Sequence, residues 1–184
     1  MLTTAAPAWA RGELTLRRAA LLALEADVRA RYVSGEEACG YLCGPAEPSP
    51  LCDEVVPLEN LANKLHRLDP DTFFRDGRTS FAFNERTFDA AVRRGAEAGR
   101  PVKVLYHSHL DTSAYFSATD AAVLSFGTPP SRAGGGRLGP GPQWSLAFLV
   151  TSVYGAAPEP RIDAHRAYVW RGRAFEEASF EVVE

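Results

Sequence analysis

The order of hydrophobic and polar positions predicts a chain in which helices alternate with short strands. Between Ala20 and Val28 the apolar residues recur at the spacing of an amphipathic helix, which predicts a helix over residues 17–32. A similar pattern around Phe88 predicts a helix over residues 86–98, with a cap at Asn84 and Glu85. Short apolar runs bounded by turn residues predict strands over residues 14–16, 38–43, 53–57, 80–83, 101–109, 144–153, 161–170 and 174–182.

A third helix and two irregular segments complete the predicted order. The helix covers residues 118–126, directly after the fifth predicted strand, and an irregular polar segment covers residues 59–78. Residues 127–142 read GTPPSRAGGGRLGPGP, which is too rich in glycine and proline to fold alone and predicts a mobile surface loop. We therefore expect one α/β domain over residues 13–184, with a mixed central sheet flanked by helices, after a flexible N-terminal extension over residues 1–12.

Composition agrees with one compact domain and argues against several classes of protein. The 184 residues are 46% hydrophobic and 23% charged, which suits a single packed core. The net charge of −3, without a basic run, argues against nucleic acid as a partner. No apolar stretch approaches the roughly 18 residues of a membrane span. Residues 1–11 lack the basic start and apolar core of a signal peptide, so we expect a cytoplasmic protein.

The three cysteines are expected to carry no chemistry. Cys39, Cys43 and Cys52 are an odd number and lie in or beside apolar strands, which is typical of reduced, buried thiols. The Cys-x3-Cys spacing is compatible with a second metal site. It also places both side chains on one face of a strand, where they pack as small hydrophobic groups, and we favour this interpretation.

The strongest chemical signal lies between residues 104 and 120, which read VLYHSHLDTSAYFSATD. Side chains alternate between the two faces of a strand, so His107 and His109 point the same way and can hold one ion together. Two histidines on a strand are often incidental, but the chain contains only four. Whether the pair binds a metal ion is decided together with the residues that follow it.

Ser117 and Asp120 begin the predicted helix after the histidines, and two functions fit them. Ser-x-x-Asp ahead of an apolar run is a capping box, in which both side chains satisfy backbone N–H groups of the first turn. The same spacing allows Asp120 to supply a third ligand to an ion held by the histidines. Three protein ligands with one open position are typical of catalytic zinc. Because Asp120 occurs together with the pair His107 and His109, we favour a metal site.

Hydrolysis of an amide also requires a group that protonates the leaving amine. The best candidate lies in the run SGEEACGYLCG over residues 34–44, where an acidic pair precedes a short apolar strand. Adjacent residues of an extended segment face opposite ways, so only one of Glu36 and Glu37 can face the ion.

The segments Glu37-Ala-Cys-Gly, His107-Ser-His109 and Ser117-Ala-Thr-Asp120 together resemble the motif of the JAMM (MPN-plus, Mov34/JAB) zinc metallopeptidases in their compact bacterial form. The resemblance implies the MPN fold, which is similar to the cytidine deaminase architecture. It implies one zinc ion per chain, with His107, His109 and Asp120 as the ligands. It also implies Glu37, rather than Glu36, as general acid/base and Ser117 as the residue that steadies the oxyanion. Many members have proline after the second histidine, where this chain has Leu110; that difference concerns the exit from the strand, not the chemistry.

The resemblance further implies a peptidase or isopeptidase that cleaves after the C-terminal Gly-Gly of a ubiquitin-like or sulfur-carrier protein. Residues 127–142 would then help to hold the extended substrate, and Arg132 or Arg137 would meet a carboxylate or an acidic partner. A catalytically silent MPN scaffold and a metallopeptidase acting on general or cell-wall peptides remain as alternatives. A nucleoside deaminase would need His-x-Glu and Pro-Cys-x-x-Cys, which the chain lacks. The sequence leaves open the carrier, the kind of scissile bond and whether the chain forms a homodimer.

Overall fold

A computed structural model describes residues 6–155 and 158–184, and its centre is a six-stranded mixed sheet in the order β4-β2-β5-β6-β7-β8. Within this sheet β5 and β6 are parallel, and the other neighbours are antiparallel. A small second sheet joins β3, β1 and β9 in parallel. The strands are β1 (Thr15–Arg17), β2 (Cys39–Cys43), β3 (Leu51–Cys52), β4 (Glu54–Leu58), β5 (Val102–Leu110), β6 (Ala147–Tyr154), β7 (Arg161–Trp170), β8 (Phe175–Ala178) and β9 (Glu181–Val183).

Helices pack on both faces of the central sheet. On one face, Leu24 of the first helix shares a buried core with Val104 of β5. On the other face, Phe88 and Leu124 of two further helices share a second core with Leu105 of β5. None of the helices in the described part of the chain has the length and apolar character of a membrane span. The helices are α1 (Arg18–Val33), α2 (Ala62–Leu68), α3 (Glu85–Glu97) and α4 (Ala118–Leu124).

Strand β5 lies at the centre of the sheet, and all nine of its residues are buried. Because side chains alternate along a strand, Tyr106 faces the α1 core and Leu105 faces the core of α3 and α4. His107 and His109 continue the series that begins at Leu105, so they face the side on which α4 begins. Antiparallel pairing with β2 places Cys39 opposite His107, which brings the start of β2 next to the histidines.

Close packing between β2 and β5 requires a glycine at position 40. A Cβ atom there would lie 2.5 Å from the Tyr106 ring and hydroxyl. That hydroxyl donates a hydrogen bond of 2.8 Å to Oδ2 of Asp27 on α1. The absence of a side chain at Gly40 therefore lets Tyr106 connect the central strand to α1.

The N-terminal segment departs from the expected flexible extension over residues 1–12. Residues Ala8–Arg11 form a 3-10 turn in which Trp9 is buried in the α1 core. The Trp9 indole N–H donates to the Ser145 carbonyl at 2.9 Å. A large aromatic ring with a satisfied polar atom anchors this turn to the domain, so the prediction is wrong for residues 8–11. Residues 1–5 lie outside the described part of the chain.

The segment between β4 and α3 also differs from its prediction. The polar residues 59–78 contain α2, and residues 80–83 run extended without a strand partner among the described residues. Asn60 takes the place of a neighbouring strand, because its side-chain amide donates to the Ser80 carbonyl at 3.0 Å and accepts the Ala82 N–H at 3.1 Å. The Leu61 N–H donates to the Ala82 carbonyl at 2.7 Å. The predicted strand over residues 80–83 is therefore an extended segment held by a side chain.

The glycine-rich segment at residues 127–142 has more regular structure than its composition predicts. Thr128 and Arg137 exchange two backbone hydrogen bonds of 2.8 Å, which close a small hairpin. Arg132 at its tip lies over the Phe74 ring at 5.5 Å and donates to the Pro70 carbonyl at 3.1 Å. Within the described residues, the contacts of Arg132 are therefore with a carbonyl and an aromatic ring.

Candidate metal centre

The three predicted ligands converge at the end of β5. Nε2 of His107 lies 3.3 Å from Nε2 of His109. Oδ2 of Asp120 lies 3.4 Å from the first nitrogen and 3.7 Å from the second. All three residues are buried, with between 1% and 9% of their surface exposed. They meet because β5 directs both histidines toward α4, whose first turn carries Asp120.

The arrangement of these atoms fits a metal ion. A tetrahedral ion with bonds of about 2.0–2.2 Å to nitrogen and oxygen holds its ligand atoms about 3.3–3.6 Å apart, which is close to the separations in the structure. Nδ1 of His109 donates to the Ser113 carbonyl at 2.9 Å, which leaves the lone pair on Nε2 directed into the site. The Phe81 ring stacks on His107 with 4.4 Å between centroids. Two imidazoles and one carboxylate are a ligand set that catalytic zinc uses.

Both functions considered for Ser117 and Asp120 are present in the structure. Oγ of Ser117 accepts the Asp120 N–H at 3.1 Å, and Oδ2 of Asp120 accepts the Ser117 N–H at 3.0 Å, which completes a capping box at the start of α4. The same Oδ2 faces the two histidines, and a carboxylate oxygen has enough lone pairs for a cap and a ligand bond. Burial alone would raise the pKa of Asp120, but His107, His109 and Ser117 hold that pKa well below its usual range.

Glu37 is the carboxylate that reaches the same site. It is 6% exposed and lines a polar cavity of about 160 Å³ together with His109, Ser117 and Asp120. Burial raises the pKa of Glu37 well above its usual value, and the charge of Asp120 adds to this shift while that of Arg75 opposes it. A cation bound at Asp120 would also oppose the shift. A carboxyl group in such surroundings is suited to exchange a proton with a reacting molecule.

Glu36 makes different contacts. Its Oε1 accepts a hydrogen bond of 2.7 Å from the Asn63 amide, and its Oε2 lies 3.7 Å from the Arg31 guanidinium. It does not line the polar cavity. The two neighbouring carboxylates are therefore separated as expected for adjacent residues of an extended segment.

Two residues that the sequence analysis missed hold the backbone around Glu37. The Asn60 amide donates to the Glu37 carbonyl at 3.0 Å. Oγ of Ser108, between the two histidines, accepts the Ala38 N–H at 2.7 Å. Strand alternation could have identified Ser108, because a residue between two ligands must face the opposite side of the sheet. A single asparagine in a polar segment carries no such signal.

Two cavities meet at Asp120, and they differ in polarity. The polar cavity next to Glu37 is also lined by two arginines, Arg75 and Arg78, which the sequence analysis did not identify. Asp120 also lines a second, apolar cavity of about 140 Å³, with Phe81 and Val123 in its lining.

The cysteines have the inert character expected of them. All three are free and buried, and burial raises the pKa to about 12 for Cys39 and Cys52 and to about 11 for Cys43. Such thiols stay in their unreactive, protonated form at neutral pH. The prediction of reduced, buried thiols is confirmed, and Cys52 packs in the α1 core.

Comparisons with known proteins concern the family and the fold of the chain. A family model described as prokaryotic homologs of the JAB domain matches residues 18–152. No curated protein matches the chain. The solution structure of a protein from Desulfitobacterium hafniense has a TM-score of 0.59 at 23% identity over 93% of both chains, which shows a shared fold. A JAB1/MPN domain protein from Archaeoglobus fulgidus is similar with a TM-score of 0.45 at 17% identity, over 93% of this chain and 98% of that one. A protein from Salinibacter ruber has a TM-score of 0.47 at 20% identity, over 88% of this chain and 89% of that one.

Proposed function

This chain belongs to the family of prokaryotic homologs of the JAB domain, and we propose that it is a zinc-dependent peptidase or isopeptidase of the cytoplasm. In this proposal it hydrolyses the amide bond after the C-terminal Gly-Gly of a ubiquitin-like or sulfur-carrier protein. The match confirms the family and the α/β fold that the motifs implied, but the family includes both peptidases and catalytically silent members. The observation that carries the proposal is the convergence of His107, His109 and Asp120 beside the buried carboxylate of Glu37.

The three ligands would hold one zinc ion per chain. Zinc would act as a Lewis acid and would lower the pKa of a water molecule in its open fourth position to about 7. The hydrogen bond from His109 to Ser113 would keep the imidazole in the tautomer that binds metal. The capping box would fix the rotamer of Asp120. Little rearrangement would then be needed to bind the ion.

Glu37 would transfer the proton. Its carboxylate would accept a proton from the attacking water and then donate it to the nitrogen of the leaving amine. Proton transfer of this kind contributes about 10²–10⁴-fold to the rate. The backbone contacts from Asn60 and Gly77 would hold Glu37 at the cavity during both steps.

Ser117 would stabilise the oxyanion. Its oxygen accepts the Asp120 N–H, so the hydroxyl proton remains available for donation. Ser117 lines the same cavity as Glu37 and His109. A donor at this position would act where negative charge develops on the substrate carbonyl.

The tail of the substrate would lie beside residues 80–83. Ser80 and Ala82 turn their backbone groups toward Asn60 and Leu61. In an extended segment the N–H and C=O of Phe81 point the opposite way, and they have no hydrogen-bond partner among the described residues. A peptide could pair with this edge close to the ligands only if its side chains were small, which supports a Gly-Gly tail.

The proposal is tested with a ubiquitin-like carrier whose Gly-Gly terminus is joined to a short peptide. We expect zinc-loaded protein to cleave after the second glycine, as measured by mass spectrometry of the products. Glu37→Gln should keep its zinc and lose about 10²–10⁴-fold in kcat, because an amide cannot shuttle the proton. Glu36→Gln is the matched control, because its amide oxygen can still accept from Asn63, and it should retain activity.

Other outcomes would select the alternatives. Protein that binds no zinc, or that binds zinc and cleaves no peptide, would be a silent scaffold. Cleavage of a tail with valine in place of the second glycine, or of unrelated or cell-wall peptides with comparable kcat/KM, would indicate a general metallopeptidase. A larger loss in Glu36→Gln than in Glu37→Gln would assign the proton transfer to Glu36.

A further inference from the structure

The polar cavity beside the ligand cluster contains positive charge that the proposed hydrolysis does not use. Arg75 and Arg78 line it together with Glu37 and His109. The second cavity that Asp120 lines is bordered mainly by aromatic and aliphatic residues. A substrate that crosses the ligand cluster would therefore have one part in apolar surroundings and the other part beside arginine side chains.

The position of Glu37 indicates which part of the substrate enters the polar cavity. A general acid must lie within hydrogen-bond reach of the atom that it protonates. In the proposed hydrolysis that atom is the nitrogen of the leaving amine, and the carboxylate that protonates it lines the polar cavity. The leaving group would then occupy this cavity, and the Gly-Gly tail would occupy the apolar side.

The two arginines differ in their existing partners. The Arg78 guanidinium lies 2.6 Å from Oδ2 of Asp111, so its charge is already paired. Among the described residues no carboxylate forms an ion pair with Arg75. The neighbouring Asp76 accepts the backbone N–H of Arg78 at 3.1 Å and does not line the cavity. The carboxylates of Glu37 and Asp120 would be balanced by a divalent cation, which leaves Arg75 as the charge without a partner.

An aromatic contact holds Arg75 near the cavity. Its guanidinium lies 5.5 Å from the centroid of the Phe74 ring, and Arg132 lies at the same distance from that ring. A cation–π contact uses the charge of the guanidinium and leaves its N–H groups free to donate. Two parallel hydrogen bonds from such a plane match the geometry of a carboxylate.

We infer that Arg75 binds the free α-carboxylate of the leaving residue, so that the protein removes an amino acid from the C-terminus that follows Gly-Gly. This inference rests on the proposed peptidase function, and it names the chemical class of the leaving group. Arg75 is then a specificity-determining residue. The protein would discriminate against an internal peptide bond or an isopeptide to a lysine side chain, because neither presents a free carboxylate on the carbon atom bonded to the scissile nitrogen.

The test compares two peptides that differ only at the C-terminus. Both carry the carrier tail followed by Gly-Gly-Ala; one ends in a carboxylate and the other in a carboxamide. We expect kcat/KM to be about 10–100-fold higher for the acid, which is the range for a charge-assisted hydrogen bond. Arg75→Gln should remove this preference, so that acid and amide are cleaved with equal kcat/KM; because Arg75 also acts on the pKa of Glu37, the ratio between the two peptides, and not the absolute rate, is the readout.

Arg132→Gln is the matched control. It removes a guanidinium from the same Phe74 ring without changing the lining of the polar cavity. This variant should keep the full preference for the acid. Arg75 is exposed, so both variants should fold, and circular dichroism and thermal unfolding check this.

A second measurement separates this inference from the proposed function. Binding of the two labelled peptides to zinc-loaded Glu37→Gln protein is followed by fluorescence anisotropy, with and without Arg75→Gln. If wild-type protein cleaves acid and amide equally, or if Arg75→Gln keeps the preference, the inference is wrong and the peptidase proposal stands. If neither peptide is cleaved, the peptidase proposal fails, and removal of an amino acid fails with it. Tighter binding of the acid that depends on Arg75 would still support the contact between Arg75 and the carboxylate, and equal binding would refute that contact.

Discussion

Replacement of Ser117 by alanine separates the two functions that the structure combines in this residue. The hydroxyl oxygen accepts the Asp120 N–H at 3.1 Å, and the hydroxyl proton is available to a substrate oxygen. Alanine removes both contacts at once. A cap affects the stability of the protein, whereas an oxyanion donor affects the rate of the reaction, so the two losses appear in different measurements.

The expected magnitudes are distinct. Loss of a serine cap costs about 0.5–2 kcal/mol, which in a chain of this size lowers Tm by roughly 1–8 °C. Loss of one oxyanion donor lowers kcat by about 10²–10³-fold with a smaller change in KM. Asn84 provides a matched control, because its side chain caps α3 by accepting the Thr87 N–H at 3.0 Å and does not line either cavity at the ligand cluster. Asn84→Ala should therefore lose comparable stability and keep its kcat.

The assay measures thermal unfolding, zinc content and steady-state kinetics on the same preparation of each variant. We expect Ser117→Ala to lose both stability and kcat per mole of bound zinc, and Ser117→Thr to recover both. The oxyanion assignment is refuted if Ser117→Ala unfolds earlier but retains wild-type kcat per zinc, since the residue would then be only a cap. A parallel loss of zinc would instead show that the cap is needed to hold Asp120 as a ligand.

Three further predictions concern the metal, the packing and the pH dependence. Zinc at about 100 times its Kd should stabilise the protein by about 2.7 kcal/mol, or roughly 5–11 °C in Tm, and His107→Ala should abolish this shift in a thermal melt with and without chelator. Gly40→Ala should lower stability by about 1–3 kcal/mol in urea unfolding, because its Cβ would lie 2.5 Å from the Tyr106 ring; an unchanged midpoint would contradict the packing. Burial lowers the pKa of His165 below its usual 6.5, although the hydrogen bond and charge of Glu25 oppose this shift. Near and below that pH the unfolded chain therefore binds more protons than the folded chain. Stability should therefore fall as the pH drops from about 7 to 5, and His165→Gln should flatten this slope in melts across that range.

The parts of the site that were predicted from sequence are those that follow from local periodicity. The apolar run ahead of His107 indicated a buried strand, and the alternation of side chains on a strand placed the two histidines on one face. The first turn of a capped helix placed Asp120 within reach of the same face. These rules operate over a few residues, so the sequence alone was sufficient to predict that the three side chains would meet.

The parts that were missed depend on contacts between distant segments. Residues 80–83 have the composition of a strand, but Asn60 occupies the edge at which a neighbouring strand would pair. Trp9 was assigned to a flexible extension, since nothing near it in sequence shows that its indole would reach Ser145. Arg75 lies in a polar segment that has no periodic pattern, and only the folded chain places it beside Glu37.

Ser108 shows how the ligand strand also determines the position of Glu37. The two histidines need the same face of β5, so the residue between them must face α1 and is unable to act as a ligand. Its hydroxyl accepts the Ala38 N–H at 2.7 Å, and its own N–H donates to the Ala38 carbonyl at 2.9 Å. Ala38 is the residue after Glu37, and Ser108 thus holds both of its backbone polar groups, the N–H and the carbonyl. One short strand segment can therefore provide two ligands on one face and, from the opposite face, hold in place the backbone that carries the carboxylate.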